Sequence, residues 1–134
     1  MTSEHGARLA YPSRVRTVLL VVNGLGVVAA AVFAAAGVRR PGYVVTGEQA
    51  TPLAHFWATS SAVRTWALAG TLIPALARSD SRDRSVLLVT AGLVQLGDAA
   101  LGVGQHDPAM TTAPAIMGVV HLLSARALGS GAER

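Results

Sequence analysis

The chain contains no cysteine, which removes disulfide frameworks, thiolate zinc sites and cysteine nucleophiles from consideration. Charged residues are also scarce, at 13% of 134 residues, where soluble domains usually carry about 25%. Aromatic residues make up only 4%, too few for the stacking surfaces of single-strand nucleic-acid binders. Hydrophobic residues reach 51% and mean hydropathy is +0.47, so the composition indicates one membrane-embedded domain over residues 1–134.

Lysine is absent, and all eleven basic residues are arginine, which is typical of high-GC bacterial genomes. The net charge of +4 does not indicate a nucleic-acid partner, because the arginines flank apolar segments and form no stripe. The sequence has no phosphate loop, no H-E-x-x-H, no nucleophile elbow and no acidic metal box. Its four histidines are far apart in sequence, so we expect neither a cofactor nor a metal site.

Four apolar segments are long enough to cross a bilayer, which takes roughly 20 residues. They are Thr17 to Val38, Pro52 to Ala77, Ser85 to Gly104 and Pro108 to Leu128. A cap residue followed by proline, Thr51-Pro52 and Asp107-Pro108, predicts the starts of the second and fourth helices. Because the links are short, the sequence predicts an all-α, antiparallel four-helix bundle integral to the membrane.

The arginines also predict the orientation of these spans. Eight lie on one side of the predicted membrane, and only Arg39 and Arg40 lie on the other. The eight are Arg8, Arg14, Arg16, Arg78, Arg82, Arg84, Arg126 and Arg134. The positive-inside rule therefore predicts a bacterial cytoplasmic membrane protein with both termini in the cytoplasm.

Two alternatives to four spans stay open. The first span has the Ala34-Ala35-Ala36 sequence of a signal-peptide cleavage site, although its apolar run is long for a signal core. A soluble bundle is the other alternative, because spans two to four each contain an ionisable residue. It would need a polar face on every helix, and Val18 to Ala36 has none.

Small residues recur every fourth position in the first span, at Gly26, Ala30 and Ala34. This spacing lets transmembrane helices approach closely, and it predicts either packing within the chain or a homo-oligomer. Asn23 lies one turn away on nearly the same face, and we expect it to hydrogen-bond across helices.

The other spans carry polar side chains on single faces. Span two has a stripe through Trp57, Ser61 and Arg64, and span three has Gln95 one turn from Asp98. Gly97 and Gly102 are expected to allow close backbone approach there. Span four carries His121 on a face shared with Met117, and Pro114 is expected to kink that helix and open space.

An unpaired Arg or Asp at the centre of a span costs about 2.5 to 3.5 kcal/mol on insertion scales. We therefore predict an Arg64–Asp98 ion pair between spans two and three, with Gln95 and His121 as neighbouring partners. The resulting polar cluster would line a pocket open to the outer side, near Glu48, His55 and Trp57.

Val63-Arg64-Thr65, Gln95-Leu96-Gly97-Asp98 and His121 together resemble the motifs of a family of small four-span bacterial membrane proteins defined only as a domain of unknown function. The resemblance covers roughly Phe56 to Leu128 and implies the fold rather than an activity. Such proteins often place an acid after the arginine, where this chain has Thr65. Arg64 consequently depends more on Asp98, and a role that needs two carboxylates is placed in doubt.

The main functional hypothesis is a pocket for an apolar metabolite, with isomerisation or cyclisation by acid/base chemistry. Asp98 and His121 would exchange protons, and Arg64 would stabilise negative charge on an oxygen. The substrate contacts would come from Trp57, Ser61, Gln95 and Met117.

Two other functions remain open. In one, the protein is a structural or accessory membrane subunit in which the same polar residues hold the helices together. In the other, ranked lower, it is a small proton-coupled transporter; such four-span exporters usually carry a Glu in the first span, where this chain has only Asn23. Membrane lipid is a partner in every version.

Overall fold

The computed structural model describes residues 11–41, 51–78 and 81–129, and regular structure within these ranges is helical. Arg8, Glu48 and Arg134 lie outside the described residues. The four helices are α1 (Ser13–Arg39), α2 (Pro52–Ala77), α3 (Ser81–Gly104) and α4 (Pro108–Gly129). The prediction of four helices is therefore confirmed.

Side-chain caps begin α2 and α4, as the sequence predicts. Thr51 Oγ1 accepts a hydrogen bond from the Ala54 amide at 3.1 Å. Asp107 Oδ1 accepts from the amides of Ala109 and Met110, at 2.9 and 3.1 Å. Each cap satisfies amide groups that have no partner inside the helix, and the proline that follows needs none.

The link between α3 and α4 is a tight reversal at the end of α3. The Asp107 amide donates to the Gly102 carbonyl at 3.0 Å, and the His106 amide donates to the Val103 carbonyl at 3.1 Å. His106 has a φ of 54°, the left-handed conformation that this type of helix ending requires. The short link keeps α4 directly beside α3.

Two helices begin four residues before the apolar segments that predicted them. α1 begins at Ser13 instead of Thr17, and α3 begins at Ser81 instead of Ser85. Hydropathy marks the apolar part of a helix, whereas the backbone hydrogen bonds continue into the polar residues beside it.

A charged segment such as residues 79–84 is expected to form a solvated turn, but its described residues 81–84 belong to α3, and Ser81 and Arg84 are buried. Arg84 belongs to α3 and is only 5% exposed. Its Nε donates to the Ala75 carbonyl at 3.2 Å, and its Nη2 donates to the Arg78 carbonyl. The guanidinium thus caps the carbonyl end of α2, where a positive charge is favourable.

The four helices associate as two closely packed pairs, α3 with α4 and α1 with α2. The contacts of α2 with α3 and of α1 with α4 are much less extensive. Within the α1–α2 pair, the Trp66 indole donates to the Ala31 carbonyl of α1 at 3.1 Å. The places where the two pairs meet are the α2–α3 seam and the α1–α4 seam.

Glycines bring α3 and α4 together. A Cβ atom at Gly92 would lie 3.1 Å from the Gly118 carbonyl oxygen, and one at Gly102 would lie 2.6 Å from the Met110 carbonyl carbon. Close approach at Gly102 is therefore confirmed. The same expectation for Gly97 is wrong, because a Cβ there would meet nothing within 4 Å.

The outside of the molecule is apolar and the inside contains small and polar residues. Among the largest fully buried side chains are Asn23 and Ser124, beside three leucines. Many large apolar side chains are exposed instead, for example Leu25, Val32, Leu93, Val103 and Leu123 at 59% or more.

Three helices, α1, α3 and α4, are long and apolar enough to cross a membrane. α2 does not reach the same hydropathy; it carries Arg64 between Ser61 and Thr65 in its middle.

Candidate functional site

Arg64 and Asp98 form an ion pair across the α2–α3 seam. An Nη2 hydrogen of Arg64 donates to Asp98 Oδ1 at 2.7 Å, a short distance typical of a charge-assisted bond. The predicted pair between these two residues is confirmed. It joins the two helix pairs at a seam where backbone contacts are few.

The pair is not enclosed by the rest of the chain. The side chains of Arg64 and Asp98 are 46% and 28% exposed. A guanidinium has five N–H donors and a carboxylate has two acceptor oxygens, so a single bond leaves most of this capacity unused. The pair can therefore bind a further group, which would reach it from outside the α2–α3 seam.

A second polar group lies in the α1–α4 seam, and it is buried. Asn23 Nδ2 donates to Ser124 Oγ at 2.7 Å, and Asn23 Oδ1 lies 2.5 Å from His121 Nδ1. Asn23 Nδ2 also donates to the Leu19 carbonyl in its own helix at 2.6 Å. Exposure is 0% for Asn23 and Ser124 and 2% for His121. We call Asn23, His121 and Ser124 the Asn23 network.

The hydrogen bonds of Asn23 also indicate the role of His121 Nδ1. Asn23 Oδ1 is an acceptor, so His121 Nδ1 carries the proton in this contact. The expected interhelical hydrogen bond of Asn23 is thereby confirmed, and its partners are Ser124 and His121 of α4.

The Asn23 network and the Arg64–Asp98 pair are separated along the helices. Gly92 faces Gly118 and Gly102 faces Met110, which places Asp98 level with about Pro114 on α4. His121 is seven residues further along α4, or about 10 Å at 1.5 Å per residue. His121 was expected beside the ion pair, and the structure places it instead in hydrogen-bonding contact with Asn23.

The structure describes each of the expected substrate-binding residues, and their joint role stays a prediction. Trp57 is 63% exposed at the start of α2, with its ring edge-on to Phe56 at 5.4 Å between centroids. Ser61 is exposed one turn before Arg64, and Gln95 is half-buried one turn before Asp98. These two are the expected residues that lie next to the pair.

Met117 and the small residues of α1 meet inside the chain. A side chain at Gly26 would overlap the terminal methyl group of Met117, so α4 already occupies this part of the α1 face. Ala30 and Ala34 are half-buried. Met117 therefore packs between helices, and its part in a binding site stays a prediction.

Pro114 lies inside a helix that continues from Pro108 to Gly129. Because proline has no N–H, the Met110 carbonyl one turn earlier lacks its usual helical donor. Gly102 of α3 packs against this carbonyl. α3 therefore lies close to α4 one turn before Pro114, and the expected kink and opening at this proline stay a prediction.

Across the described parts of the chain, no three His, Asp or Glu side chains are grouped so that they could hold a metal ion. Comparisons with protein-family models, with curated proteins and with solved structures found no match to this chain. The resemblance to a four-span family therefore stays a prediction.

Proposed function

We propose that this chain is an integral membrane protein whose four helices cross the bilayer in alternating directions. The apolar exterior supports insertion, because exposed patches of Leu, Val and Phe of this extent are unfavourable in water. The α3–α4 contacts support alternating directions, since residue numbers rise along α3 as they fall along α4. The arginine distribution supports termini on the cytoplasmic side of a bacterial inner membrane.

α2 belongs in the membrane on this proposal, although its hydropathy does not reach that of the other three helices. Trp66 of α2 bonds to the Ala31 carbonyl of α1, and Arg64 bonds to Asp98 of α3. These contacts hold α2 alongside two strongly apolar helices over its central part. A helix so held shares the depth of its neighbours.

The Arg64–Asp98 pair is the proposed binding site, for an apolar metabolite that carries an oxygen able to accept hydrogen bonds. The observation that carries this proposal is the exposure of 46% and 28% combined with a single bond between the two side chains. Ionisable residues inside membrane spans usually face a functional site or each other. Here they do both, because they pair and both side chains stay partly exposed.

We propose binding, and not isomerisation or cyclisation, as the role of this site. Acid/base chemistry with Asp98 would need a second proton-exchanging group at the same place. His121 was expected to be that group, but it is buried in the Asn23 network about 10 Å away along α4. We therefore assign His121 to the packing of α1 against α4.

A structural or accessory subunit is the second candidate function. The Asn23 network favours it, because three polar side chains at 2% exposure or less satisfy one another and hold two helices together. All three side chains are buried within the chain, where they contribute to helix packing.

The test compares wild type with Asp98→Asn by native mass spectrometry of protein released from nanodiscs. Asn has nearly the shape of Asp but no charge, so the substitution weakens the interaction with Arg64 without leaving a cavity. We expect a discrete non-lipid ligand on wild type and its loss from a folded Asp98→Asn protein.

Arg126→Gln is the matched control, because Arg126 is an exposed arginine of α4. It should keep the ligand. A wild type without ligand whose oligomer dissociates in Asp98→Asn would favour the structural candidate, and the binding proposal would be abandoned.

A further inference from the structure

The α2–α3 seam contains an open-sided cavity of about 350 Å³ at the end opposite the Arg64–Asp98 pair. Arg78 and Asp83 line it where α2 ends and α3 begins. Gly70, Thr71, Pro74 and Ala75 form its α2 wall and Leu87 forms its α3 wall. The cavity thus has one positive and one negative side chain at its end and small or apolar groups along its length.

We propose that this cavity binds a phospholipid with a primary ammonium headgroup, of the phosphatidylethanolamine type. Arg78 would bind the phosphate and Asp83 would accept hydrogen bonds from the ammonium group. The first acyl-chain carbons would lie along the wall of Gly70, Pro74 and Leu87. This inference rests on the proposed membrane insertion but not on the proposed role of the Arg64–Asp98 pair.

The charges select this headgroup over other common ones. A guanidinium and a carboxylate together complement a zwitterion, and an anionic headgroup without a cation would meet repulsion from Asp83. A quaternary ammonium group has no N–H to donate to the carboxylate, so choline headgroups fit less well. Charge complementarity therefore favours a primary ammonium.

The walls are suited to a hydrocarbon chain. Gly70 has no side chain, and the Thr71 hydroxyl already donates to the Ala67 and Leu68 carbonyls within α2 at 3.1 and 3.0 Å. The wall thus presents no polar side-chain group that needs water. Pro74 and Leu87 add apolar surface opposite each other.

Arg84 ties together the two helix ends beside the cavity. Its guanidinium binds the carbonyls of Ala75 and Arg78, so the last turn of α2 is tied to the first turn of α3. These bonds use the main chain of Arg78 and leave its side chain to line the cavity. The ends of membrane-spanning helices lie at headgroup depth, where the phosphate would be found.

The experiment reconstitutes the full chain in nanodiscs containing equal amounts of ethanolamine, choline and glycerol phospholipids. Native mass spectrometry then counts the lipid that stays bound on release. We expect wild type to retain one ethanolamine lipid in preference to the other two. Arg78→Gln should reduce retention of every phospholipid about three- to tenfold, the effect of losing one partly exposed charge contact.

Asp83→Asn separates headgroup choice from general lipid binding. It should keep the phosphate contact of Arg78 but lose the preference for ethanolamine over choline. Arg82→Gln is the control, since Arg82 is an exposed neighbour on the same helix turn and does not line the cavity. It should retain lipid as wild type does.

Equal retention of the three lipids by wild type, or a preference for the glycerol lipid, would overturn the proposal. So would Arg78→Gln and Asp83→Asn proteins that behave like Arg82→Gln. A chain that fails to enter nanodiscs at all would instead overturn membrane insertion. If only the non-lipid ligand were missing, the result would count against the proposed Arg64–Asp98 binding site and not against lipid binding in this cavity.

Discussion

Gly92 and Gly118 face each other where α3 crosses α4, and a Cβ atom on either would lie 3.1 Å from the carbonyl oxygen of the other. Leu122 covers Gly92 from one side, and Leu96 covers Gly118 from the other. The reciprocal contact means that backbone meets backbone at this crossing. Helices in membranes associate through such small-residue contacts because lipid provides no hydrophobic driving force between them.

The closeness of α3 to α4 predicts opposite results for two glycines of one helix. Gly102→Ala should lower the free energy of unfolding by about 1 to 3 kcal/mol, because its methyl group would meet the Met110 backbone at 2.6 Å. Gly97→Ala should be neutral or stabilise by up to about 1 kcal/mol, since its position is open and Ala favours helix. Thermal unfolding in one detergent would compare them, and equal losses would contradict the glycine contact.

The Asn23 network predicts a graded series of substitutions. Asn23→Ala should cost about 1 to 3 kcal/mol, because it leaves the buried His121 and Ser124 side chains without their partner. Ser124→Ala should cost less, since Asn23 Nδ2 keeps its bond to the Leu19 carbonyl. Unfolding midpoints in the same detergent would test the order. A Ser124→Ala protein less stable than Asn23→Ala would contradict these hydrogen-bond partners.

The Arg64–Asp98 pair predicts coupling in a double-mutant cycle. Asp98→Ala and Arg64→Ala each leave a charge without its partner, whereas the double variant removes both charges. We expect a coupling free energy of about 0.5 to 3 kcal/mol, toward the lower end because both side chains are partly exposed. Losses of stability that simply add would mean that the two side chains do not interact in the folded protein.

We predict that Arg84 stabilises the fold, although it lies in a highly charged segment of the sequence. Arg84→Ala should destabilise by about 1 to 3 kcal/mol, because the carbonyls of Ala75 and Arg78 lose charged donors. It should also raise amide hydrogen exchange in the last turn of α2. The exposed neighbour Arg82 provides the comparison, and Arg82→Ala should change both quantities less. Similar exchange in the two variants would argue against the cap.

The helices and the ion pair could be predicted because their signals are local or nearly so. Thr51 and Asp107 precede prolines, and the cap geometry confirms both starts. Arg64 and Asp98 are the most costly groups of α2 and α3 to leave alone, so pairing them follows from the cost of isolation.

The Asn23 network and the buried Arg84 could not be read in the same way. Asn23 is neutral, and its partners depend on how α1 and α4 rotate against each other. One signal was present nevertheless, since Asn23 and His121 lie at similar distances from the ends of their helices at Arg39 and Pro108. The burial of Arg84 could not be predicted, because a highly charged segment usually indicates a solvent-exposed turn. Only the chain reversal between α2 and α3 brings this guanidinium to the carbonyl groups at the end of α2.

The two polar connections lie at different positions along the helices and on different seams, so together they restrict how the α1–α2 pair docks on the α3–α4 pair. A shift by one helical turn would part Arg64 from Asp98 and at the same time leave Asn23 opposite apolar side chains. Inverting one pair would likewise separate each polar side chain from its partner. Apolar packing alone would tolerate several such arrangements, whereas the two polar connections disfavour them and so specify the register of the helices.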